Sequence, residues 1–217
     1  MIIAIDGPAA SGKSTVARAV AERLGLTFLD TGAMYRAVTW KVQRMGLDPT
    51  DQGACARVAH DVDLRFDESG AIQIDGAPGE PAIRSPEVTR AVSLVSAHPG
   101  VRRAIVPKQR AIAAVGGVVA EGRDTTTVVF PNAGHKFFLI ADSRERARRR
   151  AVQEGRPGAE AEIQRELEER DHLDSTRAVS PLVQAPGSAR IDTTDLTSDQ
   201  VVAEILARVG AEDARRR

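Results

Sequence analysis

Cysteine occurs once in the 217 residues, at Cys55, so no intramolecular disulfide can form. The lone thiol also lacks neighbours spaced as metal ligands, and a reducing, cytoplasmic setting is the expectation. Aromatic side chains make up only 3% of the chain, which leaves the core to be built from Val, Ile, Leu and Ala. No apolar run approaches the ~20 residues that span a bilayer, so no membrane partner is expected. An excess of either charge is missing too, since 30 basic residues balance 30 acidic ones. A dedicated nucleic-acid or membrane-surface binder normally shows a basic excess; neither partner is expected, while a local anion site stays open. The four histidines, His60, His98, His135 and His172, stand apart without ligand spacing, and none is assigned to catalysis. The opening MIIAIDGP carries neither a basic leader nor a signal-type apolar stretch, so the chain is expected to begin directly with structure. No internal repeat is visible, and the one biased tract, Arg215-Arg216-Arg217, reads as a disordered tail.

What is present is ordinary for a globular protein with a real core: 42% hydrophobic and 28% charged residues. Ile2-Ile3-Ala4-Ile5 is a continuous apolar run ending in Asp6-Gly7, the pattern of a buried parallel strand. Over 13–24, Val16, Ala17, Val20, Ala21 and Leu24 recur on one helical face, and Gly25 is placed to cap that helix. A strand over 27–29 and a helix over 33–45, stopped by Gly46, follow. The apolar clusters at 62–66 and 71–75 flank the turn Asp67-Glu68-Ser69-Gly70, a hairpin signal. A hairpin inside an otherwise strand–helix–strand chain suggests an inserted subdomain over 57–97. Beyond it come a helix over 101–115, buried strands at 118–120 and 137–140, and an arginine-rich helix over 143–153. A Gly/Pro break at 154–159, a helix over 161–172, a strand at 189–192 and a helix over 198–209 complete the pattern. The alternation predicts a single α/β domain over 1–217 with a mostly parallel central sheet flanked by helices.

Gly7-Pro8-Ala9-Ala10-Ser11-Gly12-Lys13-Ser14 fits G-x-x-x-x-G-K-[ST] in full, with a strand before it and an amphipathic helix after it. Glycines let the backbone bend so that successive N–H groups face one anion, and the helix N-terminus adds partial positive charge. Lys13 is placed for the β and γ phosphates of a nucleotide, and the Ser14 hydroxyl for Mg²⁺. Thr15 continues the loop into the helix. Such a loop serves kinases, GTPases and motors alike. The absence of an N-K-x-D signature counts against a GTPase switch, and the residues alone favour a small-molecule kinase.

Further blocks sharpen this: Asp30-Thr31-Gly32-Ala33-Met34-Tyr35-Arg36, Glu121-Gly122-Arg123-Asp124, Glu169-Arg170-Asp171, Asp174, and Arg177-Ala178-Val179-Ser180-Pro181-Leu182. With Ile5-Asp6-Gly7-Pro8 they run in order along nearly the whole chain, and the set resembles the bacterial cytidylate kinase family. The resemblance implies a phosphate-loop core carrying a nucleoside-monophosphate-binding insertion, here 57–97, and a lid, here 144–160. It implies phosphoryl transfer from ATP to CMP or dCMP with Mg²⁺, by a cytoplasmic protein expected to act as a monomer. Arg36, Arg123 and Arg177 resemble the residues that hold the acceptor phosphate, a role suited to the planar guanidinium fork. Arg170 and Asp174 resemble those around the ribose, and Ser93, Arg102 and Asp124 those that read the cytosine edge. Thr31 and Tyr35 belong to the block beside the acceptor, and Arg146 and Arg150 are the preferred lid contacts to ATP.

The chain departs from the family at Glu121, where Asp is usual, and at Thr125-Thr126, which replace an apolar–Gly pair. A β-branched residue cannot cheaply take a glycine's positive φ, so this loop is expected to differ. The lid region is also a few residues shorter. Asp30 reads equally as a helix cap and as a site residue. Arg144, Arg146, Arg148, Arg149 and Arg150 could form a surface face paired with Glu145, a reading that holds for at least half of them, and Arg170 could instead pair with Glu166 or Asp174. The readings that compete with CMP phosphorylation are a kinase for another acceptor such as UMP, and a nucleic-acid binder using the arginine-rich helix.

Overall fold

The structure, a computed structural model, describes residues 1–67 and 69–216, with the side chains of the last helix described as far as 211. The elements run β1 (Ile2–Asp6), α1 (Lys13–Leu24), β2 (Thr27–Asp30), α2 (Thr31–Arg44), α3 (Gln52–Asp61), β3 (Leu64–Phe66), β4 (Ile72–Ile74) and β5 (Ala77–Pro78). They continue with α4 (Pro86–Ala97), α5 (Pro99–Ala114), β6 (Val118–Gly122), β7 (His135–Ile140), α6 (Ser143–Glu154), α7 (Glu160–Thr176), β8 (Ala189–Asp192) and α8 (Ser198–Arg216). The chain divides into two compact units. The first holds Met1–Phe28, Gly116–Thr176 and the chain from Pro181 onward; the second holds Leu29–Val115 and Arg177–Ser180.

The first unit is built around a five-stranded sheet of order β2-β6-β1-β7-β8. β1 pairs in parallel with β6 and with β7, and β7 in parallel with β8. Parallel strands covered on both faces must be apolar throughout, which is why Ile3, Ala4 and Ile5 are fully buried. On α1 the stripe Val16, Ala17, Val20 and Ala21 packs into the same core as Val201, Val202, Ile205 and Val209 of α8. Gly25 takes φ 62 at the end of α1, and its N–H closes onto the carbonyls of Ala21 and Glu22. The chain fills β2 and β6 on one side of β1, then crosses to β7 and β8 on the other. The carboxyl end of β1 therefore lies at the topological switch point, where open α/β sheets bind ligands. In register, Asp6 stands between Gly122 of β6 and Phe138 of β7.

In the second unit, β3, β4 and β5 form an antiparallel sheet with Leu64 opposite Ile74 and Phe66 opposite Ile72. The expected hairpin is present, and the Asp67 carboxylate tightens its turn by accepting from the N–H groups of Ser69 and Ala71. Glu68 of that turn lies outside the described residues. Two helices not expected from the sequence, α3 and α4, flank the hairpin. Asp51 caps α3 by accepting from Ala54 N at 2.9 Å, and Ser85 caps α4, with Pro86 at its first position. The arginine tail also differs from expectation. Its backbone continues α8 through Arg216, and Arg217 lies outside the described residues. Among the described residues no helix is long and apolar enough to cross a membrane.

Candidate active site

The loop between β1 and α1 bends where glycine alone fits. Gly7 has φ 151, and a Cβ there would stand 2.0 Å from the Leu139 carbonyl oxygen of β7. Ala10, within the loop, is held at φ 59, a left-handed conformation that a residue with a Cβ adopts only under constraint. Lys13 is buried, and its Nζ donates to Pro8 O at 2.6 Å and to Ser11 Oγ at 3.4 Å. Burial, then the nearby Arg123 guanidinium, pushes this amine down from its ordinary 10.5 to about 7, against the pull of Glu121, Asp6 and Asp171. Ser14 and Thr15 are exposed at the start of α1, and the Ser14 hydroxyl donates to Glu121 Oε1 at 2.7 Å. Register explains that pairing: Glu121 sits opposite Ile5, one residue before the loop's own strand end.

Behind Glu121, Arg123 Nε donates to Asp174 Oδ2 of α7 at 2.9 Å. Burial opposes the Arg123 charge, but the carboxylates of Asp174, Glu121 and Asp171 hold its pKa above the ordinary value. Arg170, one turn before Asp174, keeps part of its surface exposed while its Nε is buried without a hydrogen-bond partner. Burial, then Arg123, and further on Arg150, push its guanidinium down to about 10, against Asp174 and Asp171. Like charges gathered under such a cost are the mark of a site prepared for an anion. Asp124 is buried beside Arg123 in the chain, at the entry to a five-residue π turn over Thr125–Val129.

The arginine-rich helix α6 divides its side chains between this site and the surface. Arg146 is buried: its guanidinium pairs with Asp171 and also donates to Ala9 O at 3.2 Å and Ala141 O at 3.2 Å. The other oxygen of Asp171 accepts from Ala9 N at 3.1 Å, so one ion pair grips both backbone groups of a loop residue. Ala147, Ala151, Ile163 and Leu167 of α6 and α7 pack with Ala9 over the same spot. Arg148 and Arg149 pair with Glu145, as the sequence suggests; the hydrogen bond from Arg148, then that from Arg149, takes its carboxyl down to about 2. Arg150 pairs with Glu154 at 2.7 Å.

The second unit carries the other expected residues. Arg36, buried on α2, donates to Thr89 Oγ1 at 2.9 Å and Ile83 O at 3.3 Å. The Arg102 guanidinium lies 5.1 Å from the centre of the Tyr35 ring and donates to Ser96 O. Thr31 opens α2, Ser93 is half-buried on α4, and Arg177 Nε donates to Ser180 O. Asp30 caps α2 through Ala33 N at 2.9 Å, the first of its two readings, and its other oxygen pairs with Arg84 Nη2 at 3.1 Å. Arg84, which also holds Glu80, was passed over in the sequence because nothing local marks a partner 54 residues away. Asp171 stood in a quoted motif without a role, and its contacts with Ala9 and Arg146 give it one. The first unit thus carries the loop, Lys13, Ser14, Arg123, Asp124, Arg146, Arg150, Arg170 and Asp174, and the second carries Thr31, Tyr35, Arg36, Ser93, Arg102 and Arg177, of which Tyr35 and Arg102 stand in contact.

A phosphate loop at the switch point of a parallel sheet, a carboxylate on the loop's hydroxyl and arginines paired with carboxylates in the same unit define a phosphate-loop phosphotransferase. The family is narrower. The family model described as Cytidylate kinase matches residues 3–211, and the chain belongs to the cytidylate kinase family. The Cytidylate kinase of Desulfitobacterium hafniense (strain Y51) is 47% identical over 210 residues, covering 94% of this chain and 90% of that protein. Bifunctional pantoate ligase/cytidylate kinases of Synechococcus sp. (strain CC9605) and Parasynechococcus marenigrum (strain WH8102) are each 48% identical over 97% of this chain. The chain spans only 46% and 44% of the lengths of those two relatives.

Proposed function

We propose that the chain transfers the γ-phosphoryl group of ATP to CMP, and to dCMP, releasing ADP and the nucleoside diphosphate. The observation that carries this reading is the cluster at the carboxyl ends of β1 and β6, where Lys13, Ser14–Glu121 and Arg123–Asp174 stand together. The acceptor is itself a phosphate with a second pKa near ~6, so at neutral pH it is already a dianion and needs no general base. What the protein must supply is position and charge cancellation between two anions. In this reading Lys13 and the loop amides hold the donor, while Arg36, Arg123 and Arg177 hold the acceptor phosphate. Arg170 and Asp174 serve the ribose; Ser93, Arg102 and Asp124 the base; Thr31 and Tyr35 line the acceptor.

The Ser14 hydroxyl and Glu121 carboxylate, 2.7 Å apart, fit Mg²⁺, which takes one or two oxygen ligands from protein and the rest from phosphate and water. When bound, that ion would neutralise charge on the β and γ phosphates. The insertion over 57–97 is assigned to the monophosphate and 144–160 to the lid, with Arg146 and Arg150 facing ATP. The neutral overall charge, together with Glu145 and Glu154 engaging the α6 arginines, supports small anions rather than nucleic acid as ligands. The lone, buried Cys55 supports a reducing, cytoplasmic setting, and the protein is assigned as a monomer.

The test is a coupled assay of ATP consumption with CMP, dCMP, UMP, AMP and dTMP. CMP should give the highest kcat/KM. Faster turnover of UMP overturns the base assignment, and no acceptor-dependent consumption overturns the transfer itself.

A further inference from the structure

The carboxylate of Asp6 is given no contact with substrate in the reading above, yet it accepts four hydrogen bonds. Thr125 donates to its Oδ1 twice, from N at 2.8 Å and from Oγ1 at 2.7 Å. Thr126 donates to Oδ2 twice, from N at 2.7 Å and from Oγ1 at 2.6 Å. A carboxylate offers about four acceptor sites, so the clamp leaves none idle. All three residues are buried, so water does not compete. The β-branched side chains have few rotamers to lose in holding their hydroxyls inward.

The position of the clamp gives it a consequence. Asp6 is the residue before Gly7, where the donor loop starts, and the two threonines directly follow Arg123-Asp124. They also open the π turn, in which Val129 N and Phe130 N reach back to Asp124 O and Thr125 O. Turns of this kind are rare and concentrate at functional sites. Neither threonine has a positive φ, so the turn avoids the conformation that would demand glycine. Four bonds thus fix one end of the donor loop to the segment that carries Arg123 and Asp124.

We infer that Thr125 and Thr126 are positioning residues for acceptor recognition, their hydroxyls setting Asp124 and Arg123 in place through Asp6. The inference rests on the proposed monophosphate kinase activity. Asp6 also supports the Lys13 charge, so changing Asp6 would disturb the donor side as well; the threonines separate the two effects.

The experiment compares Thr126→Val, Thr125→Val/Thr126→Val, and Thr126→Ser, with melting temperature recorded for each. In the valine variants KM for the best monophosphate should rise at least ~10-fold and the CMP-to-UMP ratio of kcat/KM should fall at least ~5-fold, a discrimination of the size set by positioned polar contacts. ATP affinity, measured by calorimetry without acceptor, should stay within about twofold, and Thr126→Ser should restore KM to within about threefold of wild type. If the double variant does not fold, the single changes decide. A folded valine variant with unchanged KM and ratio overturns the inference, as does a serine variant no better than valine. A wild type that uses another monophosphate in place of CMP overturns the proposed substrate only; the clamp is then read from KM for that acceptor.

Discussion

Lys13 should gain a proton when nucleotide binds, and the size of that uptake follows from its surroundings. In the ligand-free protein burial and Arg123 bring its pKa to about 7. At pH 8 the amine is then roughly nine-tenths neutral, while the terminal phosphate of the nucleotide is already ionised. Returning the group to its ordinary 10.5 requires a preference for the charged form of roughly 5 kcal/mol. One unit of negative charge at about 4 Å supplies roughly 4 kcal/mol at an effective dielectric of 20, and a triphosphate brings several units. Binding should therefore draw in about 0.9 proton per site at pH 8, read by calorimetry in buffers of different ionisation enthalpy. In Lys13→Arg the guanidinium is charged throughout, so uptake should vanish while binding persists. The wild-type affinity should fall by up to ~10-fold per pH unit above 7, and that of the variant should stay flat. The same shift acts on stability. Between about pH 7 and 10.5 the unfolded chain holds more protons at this lysine than the folded one, so ligand-free stability gains from Lys13 as pH rises through that window. Uptake below ~0.2 proton at pH 8, or equal uptake in Lys13→Arg, would refute the reasoning.

Three further outcomes are expected. Glu121→Gln keeps the bond to Ser14 but removes a charge, so the Mg²⁺ concentration for half-maximal turnover should rise at least ~10-fold; an unchanged Mg²⁺ titration removes Glu121 from the metal. Asp124→Asn can turn donor or acceptor toward a base, so the CMP-to-UMP ratio of kcat/KM should drop by roughly 10-fold, about 1–3 kcal/mol; equal losses on both substrates move Asp124 to the scaffold. Ala10→Gly relieves a left-handed residue worth ~1–2 kcal/mol at an entropic cost of ~0.5–1 kcal/mol, so the melting temperature should rise slightly, and a fall would show that Ala10 is not strained.

Where the sequence was readable, the signal was local. α1 runs over the span its apolar stripe and Gly25 mark out, and the continuous apolar runs of β1 and β6 are buried parallel strands, whereas β7, also parallel, is buried only at alternate residues. α3 was missed because Gly53, Ala54, Cys55 and Ala56 offer little contrast between faces, although Asp51 stood ready as its cap. α4 is marked in the sequence by Ser85-Pro86, a strong start signal that lies just beyond the hairpin pattern. The site's inner bonds lay beyond local patterns altogether. Ser14 and Glu121 are 107 residues apart, Ala9 and Asp171 162, and Asp6 and Thr125 119. At the threonine pair, where the resemblance puts a glycine and a different loop is expected, the fold makes a π turn without a positive φ and puts the hydroxyls to use.

The cations of the first unit fall into two kinds, and the difference bears on how the site exists without substrate. Arg123 and Arg146 are bound to carboxylates, Asp174 and Asp171, so their permanent charges are compensated when no phosphate is present. Among the described residues Lys13 has no such direct ion pair; it bonds to a carbonyl and a hydroxyl, both of which a neutral amine can also satisfy. Its low pKa lets the protein shed that one charge rather than hold it beside Arg123. Fixed guanidinium charges can thus stay in place by pairing with α7, while, in the proposed reading, the charge that would meet the donor is made when the donor arrives. Arg170 stands between the two kinds, ionised at neutral pH but with its buried Nε still unbonded. Because that donor carries the cost of burial without a partner, an oxygen ligand reaching it would gain more than one binding an exposed arginine.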